Sequence, residues 1–157
     1  MLNRDFNFGT VIGKCDLSAK NITQGAPVTL GENGYRLATK ADTLAGLSFN
    51  YFTEHRNDVT GGEWFANSGK IGVVQMGEVT IDKDVYLAAD GTPIEVFPYK
   101  TGITYEVNEL LYVNEEGLIT NEADAKDAHN IVGRVVVAPE GTKTAMKIAL
   151  NVLPVAA

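Results

Sequence analysis

Apolar residues in this chain recur in short alternating runs, and almost nowhere with the spacing of a helix. The runs are bounded by Gly, Asn, Asp and Pro, the residues that end strands and make turns. Gly9–Cys15, Ile71–Met76, Val79–Ile81, Ile103–Val107 and Leu110–Val113 all read as strands of this kind. The pattern predicts an all-β fold, an antiparallel β-sandwich or small β-barrel built from repeated hairpins, with at most one short helix. The helix candidate is Glu122–His129 behind Asn121 as an N-cap; the same residues also fit a polar loop with one 3₁₀ turn.

Aligning the turns exposes an internal repeat. Asn33-Gly34, Asp90-Gly91 and Glu116-Gly117 each separate two apolar runs. Asn, Asp and Gly tolerate the positive φ of tight hairpins. Four residues before each Gly stands Leu30, Leu87 or Val113. Six before stands Val28, Val85 or Leu111, and twelve before stands Ile22, Val79 or Tyr105. Even offsets put these side chains on one face of an extended strand. The repeat therefore predicts three related hairpins with a common apolar face, packed against a second layer or closed into a barrel.

A length of 157 residues suits one domain, and enough core to fold without disulfides or metals. We divide the chain into an N-terminal arm, residues 1–9, and a single β domain, residues 10–157, with an aromatic insert at 50–69. The net charge is −7. An acidic chain repels phosphate backbones and anionic lipid, so nucleic acid and membrane are not expected partners. The lone Cys15 excludes an intrachain disulfide and fits manufacture in a reducing compartment. No apolar run reaches the ~20 residues of a membrane-spanning helix. The start, Met1–Phe6, lacks the basic and apolar regions of a signal peptide.

Three stretches stand apart from the hairpins. The insert carries Tyr51, Phe52, His55, Arg56, Trp64 and Phe65 around Gly61-Gly62. Aromatics with Arg are enriched at interface hot spots, although Trp64 and Phe65 also suit a plug at one end of the core. The N-terminal segment mixes Arg4 with Phe6 and Phe8, which suits an anchoring arm or an added edge strand. Glu106–Asp127 holds seven acids against Lys126 alone, a net −6. A solvated face explains that run best; its spacing is not that of an EF-hand.

The residues of a catalytic centre do not assemble in the sequence. Neither His55 nor His129 has a nucleophile elbow or other recognisable partner near it. Cys15 falls in a strand, where a buried inert thiol is the common outcome. No His-x-His or His-x-x-x-His spacing supports a metal, and no glycine-rich phosphate loop occurs. The expectation is a protein that is not an enzyme and needs no cofactor.

The C-terminal unit carries a resemblance. It runs Tyr105-Glu-Val-Asn-Glu-Leu-Leu-Tyr-Val-Asn-Glu-Glu-Gly117-Leu-Ile-Thr120, then an Ala/Asp-rich spacer, Ile131-Val-Gly-Arg-Val-Val-Val137 and Thr144-Ala-Met-Lys-Ile-Ala-Leu150. This is similar to the capsid decoration (cement) proteins of tailed bacteriophages. Ile22–Gly34 followed by Leu44–Phe49 is similar in the same way. The resemblance implies a virion structural protein made in the host cytoplasm. It would bind the outer surface of the shell, with the major capsid protein as partner, often as a homotrimer. Its interface candidates are Arg4, Phe6, Phe8, Tyr51, Phe52, Arg56, Trp64 and Phe65. The alternatives are another virion component (tail tube, baseplate or head fibre) and a carbohydrate-binding module using Tyr51, Trp64 and Phe65.

Overall fold

A computed structural model describes residues 2–16, 22–48 and 70–152. The fold is all-β: one strongly curled antiparallel sheet forms a half-barrel, and a separate two-stranded hairpin stands beside it. The strands are β1 (Leu2–Lys14), β2 (Pro27–Gly31), β3 (Gly34–Leu37), β4 (Gly46–Ser48), β5 (Lys70–Ile81), β6 (Asp84–Leu87), β7 (Pro93–Val96), β8 (Leu110–Val113), β9 (Ile119–Thr120), β10 (Gly133–Val137) and β11 (Met146–Asn151). Ala123–Ala125 makes a single 3₁₀ turn, so the helix candidate resolves to its loop form. Glu122, not Asn121, occupies the cap position. The Asn121 amide is engaged elsewhere, donating to the Thr104 carbonyl and the Glu109 carboxylate.

β5 organises the sheet. One of its edges pairs with β1 along the whole strand. The other edge is shared: β4 takes Val73 and Val74, and β11 takes Met76 to Ile81. At the handover, Thr10 faces Val74 and Gly9 faces Met76, so Gln75 is an extra residue, a β-bulge. A bulge shifts the two-residue alternation by one. Ile71 and Val73 therefore face one core, with Cys15, Ile22, Ala26 and Val28. Val74, Val79 and Ile81 face the other, with residues of β8 to β11. Each fully buried aliphatic side chain here is worth ~1.5–3 kcal/mol of burial.

The first core sits where the sheet curls back on itself. β1 and β3 lie at the two ends of the run β3-β2-β4-β5-β1, and they meet through a parallel bridge between Cys15 and Tyr35. The Asp16 N–H donates to the Tyr35 carbonyl at 2.9 Å. Glycines make the approach possible: a Cβ on Gly13 would lie 2.3 Å from the Tyr35 ring, and one on Gly34 would lie 2.4 Å from the Lys14 carbonyl oxygen. Burial raises the Cys15 thiol to about 11, with Asp16 adding to the shift, so it packs as an inert thiol.

All three expected hairpins form, as β2–β3, β6–β7 and β8–β9. Gly34, Gly91 and Gly117 all have positive φ, and the residues before them do not. The second and third share one turn: Ala88 N–H bonds to Thr92 O, and Asn114 N–H bonds to Leu118 O. The first closes one residue tighter, with Leu30 opposite Tyr35. The common apolar face is not observed. Val28, Leu111 and Val113 are fully buried, whereas Leu30, Val85 and Leu87 are exposed. The expected strand Ile103–Val107 is also absent; it is irregular backbone that turns at Asn108 with φ of 73°.

Candidate functional site, an exposed hairpin and the cleft at its root

The hairpin β6–β7 leaves the sheet after Ile81 and returns at Phe97. Its turn is fixed locally. The Asp90 carboxylate accepts the Thr92 N–H at 2.9 Å, which holds that acid below the usual carboxylate range. Gly91 supplies the left-handed residue with φ of 85°. The root is clamped by Asp82, which accepts from the Lys83 N–H and the Thr144 hydroxyl, and by the ion pair of Lys83 with Glu95. Between root and tip, Val85 is 52%, Leu87 68% and Ile94 47% exposed. A two-stranded hairpin is marginal by itself in water, and large apolar side chains presented this way mark a contact surface.

Beside the root lies a shallow cleft of about 270 Å³ lined by Phe97, Tyr99, Ile103, Tyr105, Pro139 and Lys143, among others. Phe97 packs edge-on against Tyr99, and Tyr99 against Tyr105, with ring centroids 5.5 and 5.8 Å apart. Both phenols are spent on structure. Tyr99 donates to the Thr144 carbonyl, and Tyr105 to the carbonyls of Lys100 and Ile119 at 2.7 and 3.2 Å. Burial raises Tyr99 to about 12 and also lifts Tyr105, so both are hydrogen-bond donors rather than bases. On the rim, Lys100 is forked onto the Glu122 carboxylate at 2.7 and 2.8 Å. The stacked rings and their hydrogen bonds brace the foot of the hairpin.

The acidic run is spread over several jobs. Glu122 holds Lys100, Glu109 accepts from the Glu106 N–H and the Asn121 amide, and Asp127 accepts the His129 N–H. Glu106, Glu115, Glu116 and Asp124 face solvent. Among the described residues no three His, Cys, Asp or Glu side chains converge to hold a metal ion.

Of the residues singled out from sequence, Arg4, Phe6 and Phe8 lie in β1, whose backbone is laddered onto β5. Tyr51, Phe52, His55, Arg56, Trp64 and Phe65 lie outside the described residues. The hairpin was expected but its exposure was not, because Val85 repeats the position of the buried Val28 and Leu111, and Leu87 that of the buried Val113. Charge distinguishes it: Asp82, Asp84, Asp90 and Glu95 surround its apolar residues.

Comparison with protein-family models, with curated proteins and with solved structures finds no match to this chain.

Proposed function

We propose that this protein is a virion structural protein that binds the outer surface of a tailed-phage capsid and stabilises the shell. The observation that carries the reading is the clamped hairpin β6–β7, which presents Val85, Leu87 and Ile94 to solvent beside the curled sheet. Among the described residues, Cys15, Tyr99 and Tyr105 are buried and committed to the fold. Such a body offers surface for a partner to contact. The resemblance of Tyr105–Leu150 to decoration proteins points the same way, and with it comes the proposal of a homotrimer contacting the major capsid protein. The N-terminal residues Arg4, Phe6 and Phe8 and the insert residues Tyr51, Phe52, Arg56, Trp64 and Phe65 remain proposed contributors to that interface.

The test is co-sedimentation of the purified protein with undecorated shells of the phage that encodes it. Binding that saturates at a fixed number of copies per shell is expected, and it should raise the temperature at which the shell breaks. Absence of binding to those shells overturns the reading.

A further inference from the structure

We infer, resting on the homotrimer proposed above, that the first part of β1, residues 2–8, is an exchangeable arm. It leaves its own β5 and completes the β5 of a second copy of this chain, and so links the copies of the assembly.

The two parts of β1 are held differently. Thr10 to Lys14 face Val74 to Lys70 in unbroken register. That part is also pinned from its far side: the Cys15–Tyr35 bridge follows it, and the Gly13 backbone lies close against the Tyr35 ring. Leu2, Asn3 and Arg4 pair regularly with Ile81, Thr80 and Val79. Between these stretches the register slips three times. Asp5 and Phe8 are extra residues on β1, and Gln75 is extra on β5. Each bulge leaves a residue unpaired and interrupts the ladder. The passage from Arg4 to Thr10 is therefore the weakest stretch of the pairing. Gly9 stands at its inner end, and glycine accepts the change of backbone angles that a hinge requires.

The template stays behind when the arm leaves. β11 is paired along the opposite edge of the same stretch of β5, Met76 to Ile81, with no shift in register. Val79 and Ile81 remain in the core they share with residues of β8 to β11. Among the described residues, Leu2 to Asn7 pair with no strand but β5. Lifting them off bares one edge of a strand that is otherwise held in place. A bared edge presents a row of unpaired N–H and C=O groups and takes up another strand.

The register selects the occupant. The Gly77–Ile81 stretch of β5 already accommodates Leu2 to Asn7, bulge included, so the arm of a second copy makes the same pairs that the chain's own arm gives up. Exchange then costs little in bonding, and the hinge and the protein concentration set the balance. At about 3.3 Å per residue, residues 2–8 reach roughly 23 Å, enough to pass from one copy to the next. Each arm handed on in the same rotational sense closes a ring of copies.

The test uses the full chain in two forms, Asn3→Cys and Thr80→Cys, tagged to differ in mass and co-expressed. Directly opposed residues of antiparallel strands lie about 4.5–5.5 Å apart at Cα, within disulfide reach. Mild oxidation therefore joins the two forms where the arm of one lies on the β5 of the other. Cys15 is buried and does not compete. Asn3→Cys with Lys143→Cys, an exposed position off this ladder, is the control. The ladder pair should cross-link at least about tenfold faster than the control pair. Light scattering should find the wild type self-associated, and removal of residues 2–8 should leave a monomer. Asn3→Cys and Thr80→Cys in one chain keep the test alive if the shortened chain does not fold. Oxidised at high dilution, that chain should close on itself and stay monomeric when concentrated, then associate on reduction. A self-associated wild type whose ladder pair cross-links no faster than the control overturns the exchange and leaves the homo-oligomer standing. A wild type that is monomeric at every concentration overturns the exchange and the homotrimer together. Shell binding is read separately, by co-sedimentation, so neither result is mistaken for its failure.

Discussion

Val73 and Val74 are consecutive in β5 and both fully buried, yet their side chains enter different cores. Alternation along a strand separates them, and the bulge at Gln75 then keeps Val79 and Ile81 on the Val74 side. Val73→Ala and Val74→Ala should each cost about 1–3 kcal/mol. Because the two share no core, the double variant should equal the sum within about 0.5 kcal/mol. Urea denaturation of the four proteins measures this, and strong coupling would mean one continuous core. Deletion of Gln75 should be far more damaging than Gln75→Ala, because only the deletion reverses the faces.

Two hairpin glycines separate conformational strain from crowding. Gly91 has positive φ but open space where a Cβ would go. Gly91→Ala should cost about 1–2 kcal/mol from backbone strain alone. Gly34 has positive φ and the Lys14 carbonyl in the way. Gly34→Ala should cost clearly more and also loosen the Cys15–Tyr35 seam. A thiol reagent reads that second effect: Cys15 should be unreactive in the native wild type and reactive in the variant.

Alkaline stability should be limited by buried acids. Burial raises Tyr99 to about 12 and Cys15 to about 11, and it raises Tyr105 as well. In the unfolded chain these groups ionise near 10 and 8.5. Their contribution is therefore fully present below about pH 8.5 and is lost as pH rises toward the folded values. Phenolate absorbance should show Tyr99 and Tyr105 still protonated at about pH 11. These two should ionise together with loss of circular dichroism. Tyr105→Phe should flatten this limb.

Acid stability has a separate source. Arg36 forks onto Asp42 at 2.7 and 3.0 Å, and the Thr39 N–H and hydroxyl donate to the same carboxylate. The Arg36 contact chiefly holds Asp42 below the usual carboxylate range. A depressed folded value stabilises above the ordinary pKa near 3.9 and fades as pH falls below it. Asp42→Asn should lower stability at pH 7 and weaken the pH dependence below about 4. Equal slopes for the two proteins in thermal denaturation would contradict this assignment.

The legible parts of the sequence were those with local causes. Gly34, Gly91 and Gly117 each carry a turn within a few residues, so the hairpins could be read from spacing. The long β5 was read as two strands, Ile71–Met76 and Val79–Ile81; its pairing with β1 and β11 carries it through Gly77 and Glu78. Ile103–Val107 has an alternating pattern but no partner strand, since Tyr105 is drawn inward to bond Lys100 and Ile119. The candidate site was hidden for a related reason. Val85 looks like Val28 and Leu111, and Leu87 like Val113, and burial depends on which strands lie alongside, which no local pattern encodes.

Electron cryomicroscopy of undecorated shells incubated with the protein tests the central claim most directly. The expected map shows added density on the outer surface of the shell, with the exposed hairpin Asp82–Phe97 against it. Shells that stay bare, or density attached only to tails, would contradict the account.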